Sequence, residues 1–96
     1  MSGPTRQIGG GTVTGNGAQS EFAVNYGSWV LSISGGTGAL ERKGSDGVWY
    51  DVSRDLSGTA FALSGAEMVV FLPEVCDGAR YRLNISSGTP TWCAEQ

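Results

Sequence analysis

The residues of this chain best equipped for chemistry are its carboxylates. Asp46, Asp51, Asp55, Glu67, Glu74 and Asp77 could be paired as acid and base, the arrangement that hydrolyses glycosidic bonds. Most of them fall at turn signals, where a short acidic side chain bonds nearby backbone N–H groups. Asp46 and Asp77 each precede Gly, which strengthens the turn reading. Other catalytic chemistries lack a partner. The 96 residues include no His, which removes the usual general base and the commonest metal ligand together. A Ser or Cys nucleophile would need some other activator. Lys43 is the single lysine and stands in a charged, turn-adjacent stretch, not in the apolar setting of a nucleophilic lysine. No catalytic residue is assigned, and a non-enzymatic protein is expected.

Binding motifs are equally sparse. Cys76 and Cys93 are the only cysteines, and two Cys without His make a poor metal site. In the absence of a secretion signal, two free and partly buried thiols are expected rather than a disulfide. Gly9-Gly10-Gly11 and Gly35-Gly36 lack the helix N-terminus that completes a phosphate cradle. No cofactor and no metal is expected. The aromatic residues are more informative. Trp29, Trp49, Trp92, Tyr26, Tyr50 and Tyr81 could stack on sugars or anchor a protein partner. Trp29 and Tyr81 fall on predicted core faces. Trp49 alternates away from Val48, Tyr50 and Val52, so it is the best single contact residue if that face turns outward.

Short strands must position these side chains. Residues 28–34 place Trp29, Leu31 and Ile33 on one face and Ser32 and Ser34 on the other, the period of two of a half-buried strand. Residues 80–86 repeat the pattern, with Tyr81, Leu83 and Ile85 inward and Arg80, Arg82 and Asn84 outward. Further runs are predicted at 12–14, 21–24, 39–43, 48–53, 59–63, 68–72 and 91–94. Gly15-Asn16-Gly17, Gly35-Gly36-Thr37-Gly38, Ser45-Asp46-Gly47, Asp77-Gly78 and Ser87-Gly88-Thr89-Pro90 separate them as turns. No segment keeps a helical period. The expectation is an all-β domain, a small antiparallel sandwich or jelly-roll-like fold of about eight short strands. Residues 1–11 are Gly- and Pro-containing and read as a flexible N-terminal arm; residues 12–96 form the single domain.

Composition narrows the partners. Hydrophobic residues make up 40% and charged residues 16% of the chain, with a net charge of −3. Nucleic acid is excluded as a principal partner, because phosphate contacts need a dense basic footprint. No apolar run is long enough to span a bilayer, so no membrane is expected.

Three strings then carry a resemblance: Trp29-Val30-Leu31-Ser32-Ile33-Ser34-Gly35, Leu40-Glu41-Arg42-Lys43-Gly44-Ser45-Asp46-Gly47-Val48-Trp49-Tyr50, and Arg80-Tyr81-Arg82-Leu83-Asn84. Together, over residues 27–85, they resemble small β-rich virion structural proteins of tailed bacteriophages. The chain departs from that group in having Thr89-Pro90-Thr91-Trp92-Cys93 where a Thr/Ser/Gly-rich turn usually follows. The resemblance implies a capsid decoration (cement) protein, made in the host cytoplasm and carried on the capsid exterior. Its implied partners are the major capsid protein and further copies of itself, with trimers favoured. The candidate interface is Arg6, Gln7 and Ile8 in the arm, together with Trp49, Arg80 and Arg82. Two other roles are weighed: a carbohydrate-binding module on the virion surface, and a head–tail or tail adaptor.

Overall fold

Two long strands form the spine of the molecule. The computed structural model describes residues 6–53, 63, 66–70 and 73–96. Its strands in chain order are β1 (Gln7–Thr12), β2 (Gly17–Ala18), β3 (Phe22–Val24), β4 (Val30–Lys43), β5 (Trp49–Asp51), β6 (Ala66–Val70) and β7 (Ala79–Glu95). Every pairing is antiparallel, and the sheet path is β1-β7-β4-β5. The described residues contain no helix. This is a small all-β domain, as the alternation of apolar and polar residues requires.

β4 and β7 pair from Val30↔Glu95 to Arg42↔Tyr81, with register shifts between Ser34/Gly36 and Thr37/Gly38. Those shifts fall where the sequence signals two chain-reversing turns. Gly35-Gly36-Thr37-Gly38 and Ser87-Gly88-Thr89-Pro90 are instead facing bulges inside continuous strands. The chemistry is local and steric. Gly35 and Gly88 sit at φ of 97° and 81°, a left-handed region that other residues enter at a cost. A Cβ on Gly36 would lie 2.5 Å from Pro90 Cδ, and one on Gly88 2.6 Å from the Gly35 carbonyl oxygen. No side chain fits at Gly36 or Gly88, where the two paired strands bend. Four of the expected short strands thus merge into two long, bent ones.

The N-terminal segment follows the same bend. β1 pairs with residues 91–95 of β7, β2 with Asn84 and Ile85, and β3 with residues 79–81. Gly15-Asn16-Gly17 is therefore a kink in an interrupted companion of β7, not a hairpin turn between two mutually paired strands. From Gln7 onward the expected arm belongs to the sheet as its edge strand, because the residues beside β7's last turn of ladder are free to pair there. On the other side of β4, β5 pairs with residues 41–43 and β6 with residues 30–34. Residues 1–5 and most of the strand expected at 59–63 lie outside the described residues.

Bending the spine at its glycines lays one half of the sheet over the other. Val30–Ser34 and Thr91–Glu95 belong to the first half; residues 38–42 and 81–85 belong to the second. Their inner faces supply one core of Val13, Phe22, Val24, Trp29, Leu31, Ile33, Leu40, Leu63, Tyr81, Leu83, Ile85, Trp92 and Ala94. Rings bridge the halves: Trp29 and Tyr81 have centroids 5.0 Å apart, and Phe22 and Trp92 5.3 Å. Burying each large apolar side chain contributes about 1.5–3 kcal/mol. Gly9 approaches Phe22 so closely that a Cβ would lie 2.9 Å from the Phe22 Cβ, which brings β1 against β3. The end opposite the bend stays open, and there the connections 25–28, 44–48 and 73–78 gather with Arg6 and Gln96.

Candidate functional site

At the open end a charged residue sits on the apolar face. Arg42 shares its face of β4 with Leu40, so its guanidinium needs a partner within the fold. Glu74 supplies it. Gly27 and Glu74 exchange backbone hydrogen bonds of 2.9 Å each way, which delivers the Glu74 side chain into the gap between the halves, where it is 2% exposed. Its carboxylate accepts from Arg42 Nε at 2.8 Å and Nη2 at 3.1 Å, and from the Tyr81 hydroxyl at 2.6 Å. It also accepts from the N–H groups of Val75 at 2.8 Å and Cys76 at 2.9 Å.

Burial by itself would raise the Glu74 pKa. The bonds from Arg42 and Tyr81 and the backbone donors outweigh it and hold the group at about 2. Burial, and then donation to Glu74, pushes the Tyr81 hydroxyl well above its ordinary value. Near neutral pH the cluster is thus an ionised carboxylate with its lone pairs filled, a locked guanidinium and a locked phenol. Such a group neither gives nor takes a proton readily. It acts as a clamp between the loop at 73–78 and the sheet.

Further hydrogen bonds brace the rest of this end. The Asn25 N–H donates to Gln96 Oε1 at 2.9 Å, and Gln96 Nε2 returns a bond to the Asn25 carbonyl at 2.7 Å. The Tyr26 N–H donates to Asp77 Oδ1 at 2.8 Å, and the Gly78 N–H to Asn25 Oδ1 at 3.1 Å. In the neighbouring β4–β5 hairpin, Asp46 accepts from the Val48 N–H at 2.9 Å and from the Tyr50 hydroxyl at 2.5 Å. The Tyr50 bond, with the Val48 bond behind it, lowers the Asp46 pKa. On this framework stand Tyr26 (73% exposed), Val75 (75%), Val48 (50%) and Tyr50 (50%), the four exposed large hydrophobic residues among the described ones. All belong to the open end. These apolar side chains thus stand on loops that hydrogen bonds hold in place.

The six residues singled out in the sequence divide between two places. Trp49 and Arg82 meet on the outer face of the second half, where Arg82 Cζ lies 4.2 Å from the Trp49 ring centroid. Lys43 Nζ lies 5.9 Å from the same ring. Arg82 Nε also bonds Glu41 Oε1 at 2.8 Å, so Trp49 is half-buried under a cation instead of standing bare. Arg80 shares this face and lies 3.9 Å from Glu21. Arg6, Gln7 and Ile8 are in the other half, at the start of β1. Arg6 exchanges backbone bonds with Gln96, Gln7 is exposed, and Ile8 packs against the core.

Among the carboxylates, Asp46, Asp51 and Glu74 accept from backbone N–H groups one or two residues away, as turn-forming residues do, whereas Asp77 accepts from the Tyr26 N–H of a distant loop. Asp55 and the Glu67 side chain lie outside the described residues. Cys76 is exposed and Cys93 half-buried, and neither is in a disulfide. Sequence reasoning missed the Arg42–Glu74–Tyr81 clamp and the exposure of Val75. One signal was present: Arg42 alternates in phase with Leu40, and a charge on an apolar face implies a hidden counter-charge. Comparison with protein-family models, with curated proteins and with solved structures finds no match to this chain.

Proposed function

We propose that the chain is a non-enzymatic virion structural protein, a decoration (cement) domain that binds the major capsid protein on the capsid exterior. The observation that supports this reading is the open end, with Tyr26, Val75, Val48 and Tyr50 displayed on cross-braced loops. A cement domain needs a rigid body and an apolar contact, and no reactive group. Rigid loops lose little conformational entropy on docking, so more of the buried apolar area is converted into affinity. Tyrosine is enriched among residues that dominate binding energy. The contact is assigned to the loops rather than to the N-terminal segment, because Gln7–Thr12 is engaged in the chain's own sheet.

The test is occupancy on undecorated capsids. The double variant Tyr26→Ala, Val75→Ser leaves the core untouched and should bind at least about tenfold more weakly, the usual scale for losing central apolar anchors. Undiminished occupancy would exclude the open end as the contact. Copy number per particle separates decoration, with hundreds of copies, from an adaptor role. The carbohydrate-binding alternative rests on Tyr26 and Tyr50, since Arg82 already covers one face of Trp49; a glycan array with no hits would remove it.

A further inference from the structure

β1 ends the sheet path, and the alternation of its bonds shows which of its groups are spent. Arg6 and Gln96 exchange both backbone bonds, at 2.9 and 2.8 Å, and the Val13 N–H donates to the Pro90 carbonyl at 2.8 Å. Between these points the register is Gly9↔Ala94, Gly10↔Cys93, Gly11↔Trp92 and Thr12↔Thr91. In an antiparallel ladder, bonded and non-bonded pairs alternate. Gly9 and Gly11 therefore direct their N–H and C=O groups toward β7. Gly10 and Thr12 direct theirs away from it, to the open edge. Both residues are exposed.

Sheet edges are ordinarily protected by charged side chains or proline. Between Gln7 and Thr12 there is neither. We propose that this edge pairs, antiparallel and about a two-fold axis at Gly11, with β1 of a second copy of the chain. In that register Gly10 of each copy faces Thr12 of the other, and about four backbone hydrogen bonds form from groups unpaired among the described residues of one chain. Gly11 faces its own counterpart in the non-bonded position, where strands approach most closely. The absence of a side chain allows that approach, and a Cβ there would meet nothing within 4 Å in the single chain. The segment is uncharged, so self-pairing opposes no like charges. An isologous contact of this kind closes at two copies, unlike the trimers that the family resemblance favours. The inference is independent of capsid binding and is tested on the purified chain alone.

The experiment combines sedimentation with amide hydrogen exchange across a concentration series. Dimers should form as concentration rises, and the amides of Gly10 and Thr12 should become protected in step, while those of exposed turn residues such as Gly47 do not. Thr12→Pro deletes an outward N–H that has no partner among the described residues, a placement where proline is tolerated in edge strands. It should raise the dimer dissociation constant by about tenfold or more with an unchanged circular dichroism spectrum. A chain that stays monomeric, that forms trimers, or that dimerises while Gly10 and Thr12 exchange freely overturns the proposal. Protection of those two amides only on capsids would also overturn it, and would assign the edge to a capsid strand. Should Thr12→Pro misfold, the exchange measurement on the unaltered protein decides alone.

Discussion

The two ends of the molecule are held in shape by opposite means. At the bend, Gly36 and Gly88 let two paired backbones approach where a Cβ would collide, and Gly35 and Gly88 take left-handed φ of 97° and 81°; cohesion there comes from the absence of side chains. At the open end the loop at 73–78 is tied to the sheet by Glu74, whose carboxylate gathers Arg42, Tyr81 and two backbone N–H groups. A steric hinge works only in one chain geometry but needs no ionisation state. A polar clamp depends on charge, and its loops are left free to point apolar residues at solvent. The first end defines the fold, and the second displays the exposed apolar residues on which the proposed contact rests.

The strongest way to break this comparison is at the bend. Gly88→Val adds both a disfavoured backbone region at φ 81° and a Cβ 2.6 Å from the Gly35 carbonyl. It should cost about 3–5 kcal/mol or prevent folding, measured by urea denaturation; a loss below about 1 kcal/mol would mean that the strands do not approach as described. A smaller loss is expected at the clamp. Glu74→Gln leaves Arg42 without its counter-charge, and because the Arg42 side chain is 30% exposed water can recover part of the loss, giving about 2–4 kcal/mol.

That second variant also carries a pH signature. The Glu74 pKa falls from 4.5 in the unfolded reference to about 2 in the fold, so protons bind the unfolded chain more readily and favour unfolding. The stability advantage of the unaltered protein over Glu74→Gln should be full above pH 4.5 and shrink as pH falls toward about 2. A gap that stayed constant over this window would show that Glu74 is not held as a charged group. The smallest effect is expected on the outer face. Arg82→Ala removes the cation over Trp49 and should cost less than about 1 kcal/mol. Trp49 should then become more exposed to a soluble quencher, and unchanged quenching would mean that Arg82 does not cover the ring.

The sequence made one level of this architecture readable and hid another. Alternation placed Trp29, Leu31, Ile33, Tyr81, Leu83 and Ile85 inward, and all six are buried. It placed Arg80, Arg82 and Asn84 outward, and none of the three is buried. Period-two patterning reports which face a residue takes, because burial acts on one residue at a time. It does not report whether a glycine cluster reverses the chain or bends it. Gly35-Gly36 and Gly88 have the backbone preferences of a turn, and only their position opposite one another in the β4–β7 register makes them a hinge. The clamp was hidden for a related reason. Arg42 and Glu74 are 32 residues apart, and no local pattern marks Pro73-Glu74 as more than the end of an apolar run.

The position of Cys76 has a practical consequence. Its N–H is bound to the Glu74 carboxylate and the residue is exposed, whereas Cys93 is half-buried and its thiol is made less acidic by burial and by the charge of Glu95. Thiolate is the reactive species in alkylation, so a maleimide at neutral pH is directed to Cys76 in preference to Cys93. A fluorophore attached there would stand between Val75 and Asp77, on the rim itself, and would report docking without any engineered residue.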